Sequence, residues 1–402
     1  MVTLVNRAKV ATATTGTGTY TASGTTLSRT VLESSNADAA LNLTGSAVVF
    51  VSATAEDIPP VLELYAENYV SGTLPIATGT DAFVIGRNST ASGQRSVALG
   101  AYSTASGSYS LAINGSTASA TNSAGILGSA TQNGATAIGS NSGLSIAQAA
   151  GQGAMALGGS YASGTDSFAA AIASSSSSYG ATGTNSVAIG DRAKATASHS
   201  YSIGRLNTVS GPNGAAAIGQ SLTVSGEGAF AAGQTSIASG SYSQAFGLGA
   251  NTASIYGKLA KANGFFSTYA DAQFGIFVLR SDTTDATPEA LTTNKSTPST
   301  TNQIIRPNNS AYAFHGTIVA RQQASTGTAC AAWKIEGLIR REGSAGTTVL
   351  VNSATTVLDN TPAWGMALSA DTTNGGLKIE VTGAAATNIR WVATINTSEV
   401  TY

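Results

Sequence analysis

Residues 186–190 read SVAIG, and the phrase returns as SVALG at 96–100 and as SLAIN at 110–114. Five small or apolar residues hold no reactive group, so the information lies in the repetition. With the last residue as marker, the equivalent positions are Gly86, Gly100, Asn114, Gly128, Gly139, Gly158, Ala171, Gly190, Gly204, Gly219, Gly233, Gly247, Gly257 and Asp271. A step of 14 residues dominates between them. A fixed period of this size is the mark of a solenoid.

Inside each phrase the pattern is large, small, large. One residue before the marker stand Ile85, Leu99, Ile113, Ile189 and Ile203, and three before stand Phe83, Val97, Leu111, Val187 and Tyr201. Alanine lies between, at Ala98, Ala112, Ala156, Ala188 and Ala217. A period of two predicts short β-strands. The alanine face must sit where little room exists, against a second wall or another chain. The large residues are expected to fill a narrow lumen. Seven before the marker, ASG or VSG ends at Gly93, Gly107, Gly164, Gly226 and Gly240, and glycine there is expected to serve a turn with positive φ. Each coil is then strand, turn, strand, turn. Fourteen coils stacked at about 4.8 Å predict a rod of roughly 65 Å. So thin a coil leaves a face half-covered, which predicts that the chain is not a monomer.

Composition agrees with a turn-rich β-protein. The chain has 402 residues, 46 of them glycine, and is 42% hydrophobic but only 10% charged. That hydrophobic share argues for a buried core over disorder. The formal net charge is −1, and no basic run offers a grip on nucleic acid. The single cysteine, Cys330, cannot form an intrachain disulfide and is expected to be a small buried apolar residue. No stretch has the length of a secretory signal or a membrane helix. These features predict synthesis in a cytoplasm and no membrane insertion.

The SVAIG phrase, with ASG at a 14-residue step over about residues 81–271, resembles the head repeats of trimeric autotransporter adhesins, the YadA-like head. The resemblance implies a left-handed parallel β-roll, three chains around one axis and surface binding without catalysis. The sequence departs from those adhesins in lacking a signal peptide, a heptad stalk and a plausible membrane anchor. Its flanks suggest another carrier. The opening LVNRAKVATATTGTGTYT is similar to small virion proteins of tailed phages. The end, with DAQFGIFVLRSDTTDATPEAL and WKIEGLIRREGSAGTTVL, is similar to C-terminal domains of phage tail fibres.

Three domains are therefore expected. Residues 1–80 form a virion-attachment domain, with a strand at SAVVFV and a strand or short helix at PPVLELYAENYV. Residues 81–271 form the roll. Residues 272–402 carry seven or more alternating runs and all three tryptophans, Trp333, Trp364 and Trp391, which predicts an antiparallel sandwich or jelly-roll-like domain with a packed core. This domain is the expected receptor-binding tip. Long steps place extra residues near 140–152 and 172–184 in loops on the rod, where contacts are well displayed.

Chemistry is thin. A polysaccharide-cleaving spike needs two carboxylates about 5–10 Å apart. The acids Asp81, Asp166, Asp191 and Glu227 are scattered along the roll, and Glu336, Glu342 and Asp359 read as solvated surface. The two histidines, His199 and His315, are too few for a metal cluster. His199 falls in a slot that also holds Arg95, Tyr109, Asn185, Gly214 and Tyr242, which predicts an exposed turn; His315 lies in an alternating run and reads as structural. No catalytic, cofactor-binding or metal residue is predicted. The functional expectation is a non-enzymatic homotrimeric tail fibre or tailspike. It would attach to other virion proteins through its N-terminal domain and to a host glycan or protein receptor through its tip. The alternatives are a capsid head fibre or decoration protein, a bacterial adhesin head and, last, a polysaccharide-cleaving tailspike.

Overall fold

The structure is a computed structural model describing residues 2–6, 13–17, 20–21, 26–27, 30–34, 47–51, 72–139, 146–171, 178–324 and 328–402. The chain divides into two compact units, Met1–Tyr69 and Val70–Tyr402. In the first, an antiparallel sheet runs in the order Thr30–Ser34, Ala13–Thr17, Val2–Asn6, Ala47–Val51. The strand expected at SAVVFV is thus present; PPVLELYAENYV lies outside the described residues.

The second unit opens with a parallel β-roll. One wall is a twelve-stranded parallel sheet running from Ile76–Ala77 to Ile237–Ala238. The other begins at Phe83–Ile85 and ends at β1 (Leu259–Asn263). Each strand pairs in register with the next coil, Val97 with Leu111 and Ala98 with Ala112. Twelve coils at about 4.8 Å give a rod nearer 58 Å.

The lumen overturns the expected filling. Ala98, Ala105, Ala112, Ala156, Ala217 and Ala231 are fully buried, each facing the opposite wall of its own coil. Two strands joined by tight turns leave room for alanine at most coils and for Val209, Leu222 and Val224 at a few. On the wall that holds the SVAIG strands the leucines, isoleucines and aromatics point outward, and Ile138, Met155, Tyr201 and Ile218 are exposed. The half-covered face is thus the large apolar one.

Buried serine fills the rest of the lumen without leaving bare hydroxyls at most coils. Ser103 donates to the Leu99 carbonyl at 2.8 Å and accepts from the Gly115 N–H at 3.1 Å. Asn207, three residues after its marker as Ser103 is, donates to the carbonyls of Ile203 and Gly219 and accepts from the Leu222 N–H. Each such bond spares a buried backbone group the cost of losing water.

The glycines divide differently from expectation. Positive φ belongs to the marker glycines, at 118° in Gly190 and Gly204, and not to the ASG glycines. The latter are needed for close approach: a Cβ on Gly226 would run into the Gly240 carbonyl of the next coil. Three markers also move. Pairing of Ile113 with Ile126 and of Ile126 with Ile138 puts Leu127, not Gly128, in the marker slot, at φ 53°. Pairing of Gly247 with Ala262 replaces Gly257. Asp271 lies beyond the last coil. The long steps are narrower excursions than expected, because Ala147–Ala149 and Gly180–Ala181 are strands of the roll. The remaining residues, 140–145 and 172–177, lie outside the described ones.

β1 does not end the sheet. It pairs antiparallel with β2 (Ala272–Thr283), which covers the edge that the last coil would expose. From β2 the sheet continues through β8 (Ile389–Thr401), β3 (Ser310–Gln322) and β4 (Cys330–Arg341) to β5 (Val349–Asp359). A smaller antiparallel sheet lies over its inner face. It consists of β6 (Gly365–Asp371) and β7 (Gly376–Thr382), with Glu289–Ala290 and Ile304–Ile305 along the far side of β7. The result is an antiparallel sandwich, as expected. Its core holds Phe277, Leu279, Ile318, Ile335, Ile379 and all three tryptophans. Trp333 stacks on Trp391 at 5.7 Å between centroids, and Trp391 donates its indole N–H to Thr283 at 3.0 Å.

Candidate functional site

The roll offers two surfaces that follow directly from its repeat. The first is the outer face of the β1-containing wall. Alternation puts Val97 and Leu99 of one coil beside Leu111 and Ile113 of the next, and the pattern continues to Phe230 and Phe246, which meet edge-to-face at 5.7 Å. Phe83, Ile138, Met155, Ile189, Ile203 and Ile218 are 37–49% exposed. A contiguous apolar stripe of this kind marks an interaction surface more often than a scatter of single exposed residues does.

The second surface is the turn edge, where side chains stack from coil to coil. Arg95 reaches Asp81 at 3.4 Å and the Tyr109 hydroxyl at 3.2 Å. Arg205 reaches Asp191 at 3.3 Å, Asn213 donates to Glu227 at 2.8 Å, and Tyr242 meets Tyr256 at 5.4 Å. Glu227 also lies beside Tyr242 and holds its phenol above the ordinary range. Arg95, Tyr109, Asn185, His199 and Tyr242 all adopt φ between 52° and 57°, and all are exposed. His199 lies 3.2 Å from Asn185 of the preceding coil.

The sequence-derived acids come together in no shared cleft. Asp81 and Asp191 are paired with arginine. Glu336 lies 3.8 Å from Lys334, and Glu342 lies 3.1 Å from Arg340. Asp359 accepts from Thr361 at the end of β5. Among the described residues no group of three His, Cys, Asp or Glu is placed to hold a metal ion. His315 is exposed on the outer face of the sandwich, across from Glu336 and Asn396. Cys330 contradicts expectation: it is exposed, because along β4 it alternates with the buried Ala331 and Trp333 and so points away from the core.

The join between roll and sandwich holds what the sequence did not disclose. Lys258 and Glu399 form an ion pair at 2.8 Å with both side chains fully buried. Gln273 donates to the same carboxylate at 2.6 Å and Thr397 at 2.8 Å. Tyr312 lies against it, and its phenol is held well above the ordinary range by burial first and by Glu399 second. Nearby, Asp271 gathers the N–H groups of Phe266, Ser267 and Thr268 at 2.7–2.8 Å. Burial alone would raise its carboxyl, but these donors together hold it below the ordinary value. Deeper in the sandwich, burial lowers the Arg306 guanidinium to about 10.

A family model for the YadA head domain repeat matches residues 77–103, 91–113 and 181–206. Those segments of the roll are similar to the YadA head repeat. The parallel pairing of coils continues beyond the matched segments to β1. No curated protein matches the chain. Among solved structures, the tailspike protein of Acinetobacter phage vB_ApiP_P1 is similar at 9% identity, over 82% of this chain and 79% of that one, with a TM-score of 0.18. The tailspike protein of Acinetobacter baumannii phage AM24 is similar at 8% identity and a TM-score of 0.17. The alignment covers 82% of this chain and 57% of that tailspike.

Proposed function

We propose that this chain is a non-enzymatic homotrimeric fibre or tailspike of a tailed phage that attaches the virion to a host surface. The observation that carries the trimer is the outer stripe of the YadA-type roll. At about 25 cal/mol per Å² of apolar area removed from water, sealing that stripe against sister chains favours association. The flanking segments, similar to phage virion proteins, support the carrier. The paired, scattered acids support binding without catalysis. The tip is the sandwich, which closes the rod at one end and displays its loops there.

Antibody against the sandwich, applied to intact virions, tests the carrier. Label at the tail is the expected result, and label on the capsid shell makes the protein a head fibre instead. Incubation with host capsule or lipopolysaccharide tests the absence of catalysis. No new reducing ends are expected, and their formation would make the protein a cleaving spike.

A further inference from the structure

Arg306 is a buried cation with no counter-charge among the described residues. It follows the short strand Ile304–Ile305 beside β7 and is 1% exposed. Its Nη2 reaches the Arg340 carbonyl at 3.5 Å, and its guanidinium stands 5.9 Å from the centre of the Tyr312 ring. Its Nε and Nη1 are buried with no hydrogen-bond partner among the described residues. A buried charge is costly unless it is paired and hydrogen-bonded. Buried N–H groups left without an acceptor are rare, and an ion or a water ordinarily accounts for them.

The neighbours add donors. Arg341, the last residue of β4, donates its Nη1 to the Arg306 carbonyl at 2.6 Å, which sets the second arginine against the first. Its Nε is also buried and without a partner. Gly375 makes room for this side chain, because a Cβ there would strike the Arg341 Nη1. Thr348 adjoins Val349, the cross-strand partner of Arg340. It is 3% exposed, and its hydroxyl has no partner. The acids of this end are engaged elsewhere. Glu342 pairs with Arg340, Asp371 accepts from Thr373 and Asn374, and Glu399 holds Lys258. Burial lowers the Arg306 guanidinium to about 10, with Tyr312 opposing and the like charge of Arg341 adding. It therefore stays charged at neutral pH.

We propose that Arg306 and Arg341 hold a small inorganic monoanion of the chloride class inside the sandwich. The donor set selects an anion over water. Three N–H groups and one hydroxyl stand without an acceptor, and a water placed among them would bring two more hydrogens in need of acceptors. A halide accepts from every side and neutralises the charge as well. Enclosure selects a singly charged ion, which sheds its water at less cost than phosphate. The ion would tie Arg306, beside the smaller sheet, to Arg341 on the larger one. The site lies within one chain and needs neither its assembly nor its attachment to a host.

Crystals of the full chain grown in sodium bromide test occupancy, because bromine scatters anomalously. A bromine peak within hydrogen-bond reach of Arg306 and Arg341 is expected. Thermal melting of the full chain in sodium chloride against sodium gluconate, at equal ionic strength, tests the role in solution, since gluconate is too bulky for the site. The sandwich transition should lie a few degrees higher in chloride, as a ligand of the folded state requires, and Arg306→Met should abolish the difference. Density without an anomalous peak assigns the donors to water and overturns the proposal. A peak with no chloride-dependent rise means an adventitious ion only and overturns it too. A rise that persists in Arg306→Met puts the chloride effect elsewhere and likewise overturns it. If that variant does not fold, the bromine peak and the rise in the unaltered chain decide.

Discussion

Lys258, at the end of the roll, and Glu399, in the last strand, meet at 2.8 Å with no solvent exposure on either side. They are 141 residues apart in sequence, and their contact ties the two parts of the unit together. Removing one partner leaves the other charge buried, which costs about 3–5 kcal/mol. Lys258→Met and Glu399→Gln should each lower the denaturant midpoint strongly. The double variant Lys258→Met/Glu399→Leu should lose much less than the sum of two single losses. Additive losses would show that the two groups act independently.

The lumen sets the second prediction. Ala217 fills it from one wall, so Ala217→Leu should destabilise the roll by about 1–3 kcal/mol or more, as overpacking does. Ile218, next in sequence and pointing outward at 49% exposure, should behave in the opposite manner. Ile218→Ala should leave the coil's circular dichroism unchanged while loosening association. If the outward substitution unfolds the coil and the inward one is tolerated, the assignment of faces is wrong.

Those two neighbours also show how far the sequence could be read. The alternation of Ala217 with Ile218 reveals a strand and two unlike faces, but a period of two does not say which face is inside. Only the distance between walls decides that, and it depends on turns tight enough that alanine fills most inward slots. The marker slot at Leu127 was hidden because leucine rarely adopts a φ of 53°, whereas Gly128 beside it matched the pattern. The Lys258–Glu399 pair left little local signal: Lys258 stands in the slot that holds Ser186, Ser200 and Ser243 in earlier coils, and Glu399 falls in no repeat.

Close approach between coils gives a third prediction. Gly226→Ala should cost more than about 1 kcal/mol, beyond the usual range for a glycine whose conformation alanine can adopt. The cause is collision with the Gly240 carbonyl and not φ. Ser225→Ala beside it, exposed in the native coil, is the control and should be near neutral in thermal melting. Equal melting temperatures for the two variants would contradict the close packing of coils.

Asp271 gives the pH dependence. Its folded pKa lies below the ordinary aspartate value of 3.8. A depressed acid contributes stability that is full above the unfolded value and is lost as pH falls through the folded one. Melting of the join should therefore weaken below about pH 4, as the turn at Phe266–Thr268 loses its acceptor. Asp271→Asn should be less stable at neutral pH and should show a flatter acid limb. An unchanged acid limb in that variant would assign the loss to other carboxylates.

The central claim is that the outward apolar stripe of the roll is an interface between copies of this chain. Light scattering of the purified full chain tests it most directly. The account predicts a mass close to three times the 39.8 kDa of one chain, stable on dilution. A particle of 39.8 kDa with an intact β-roll would contradict it.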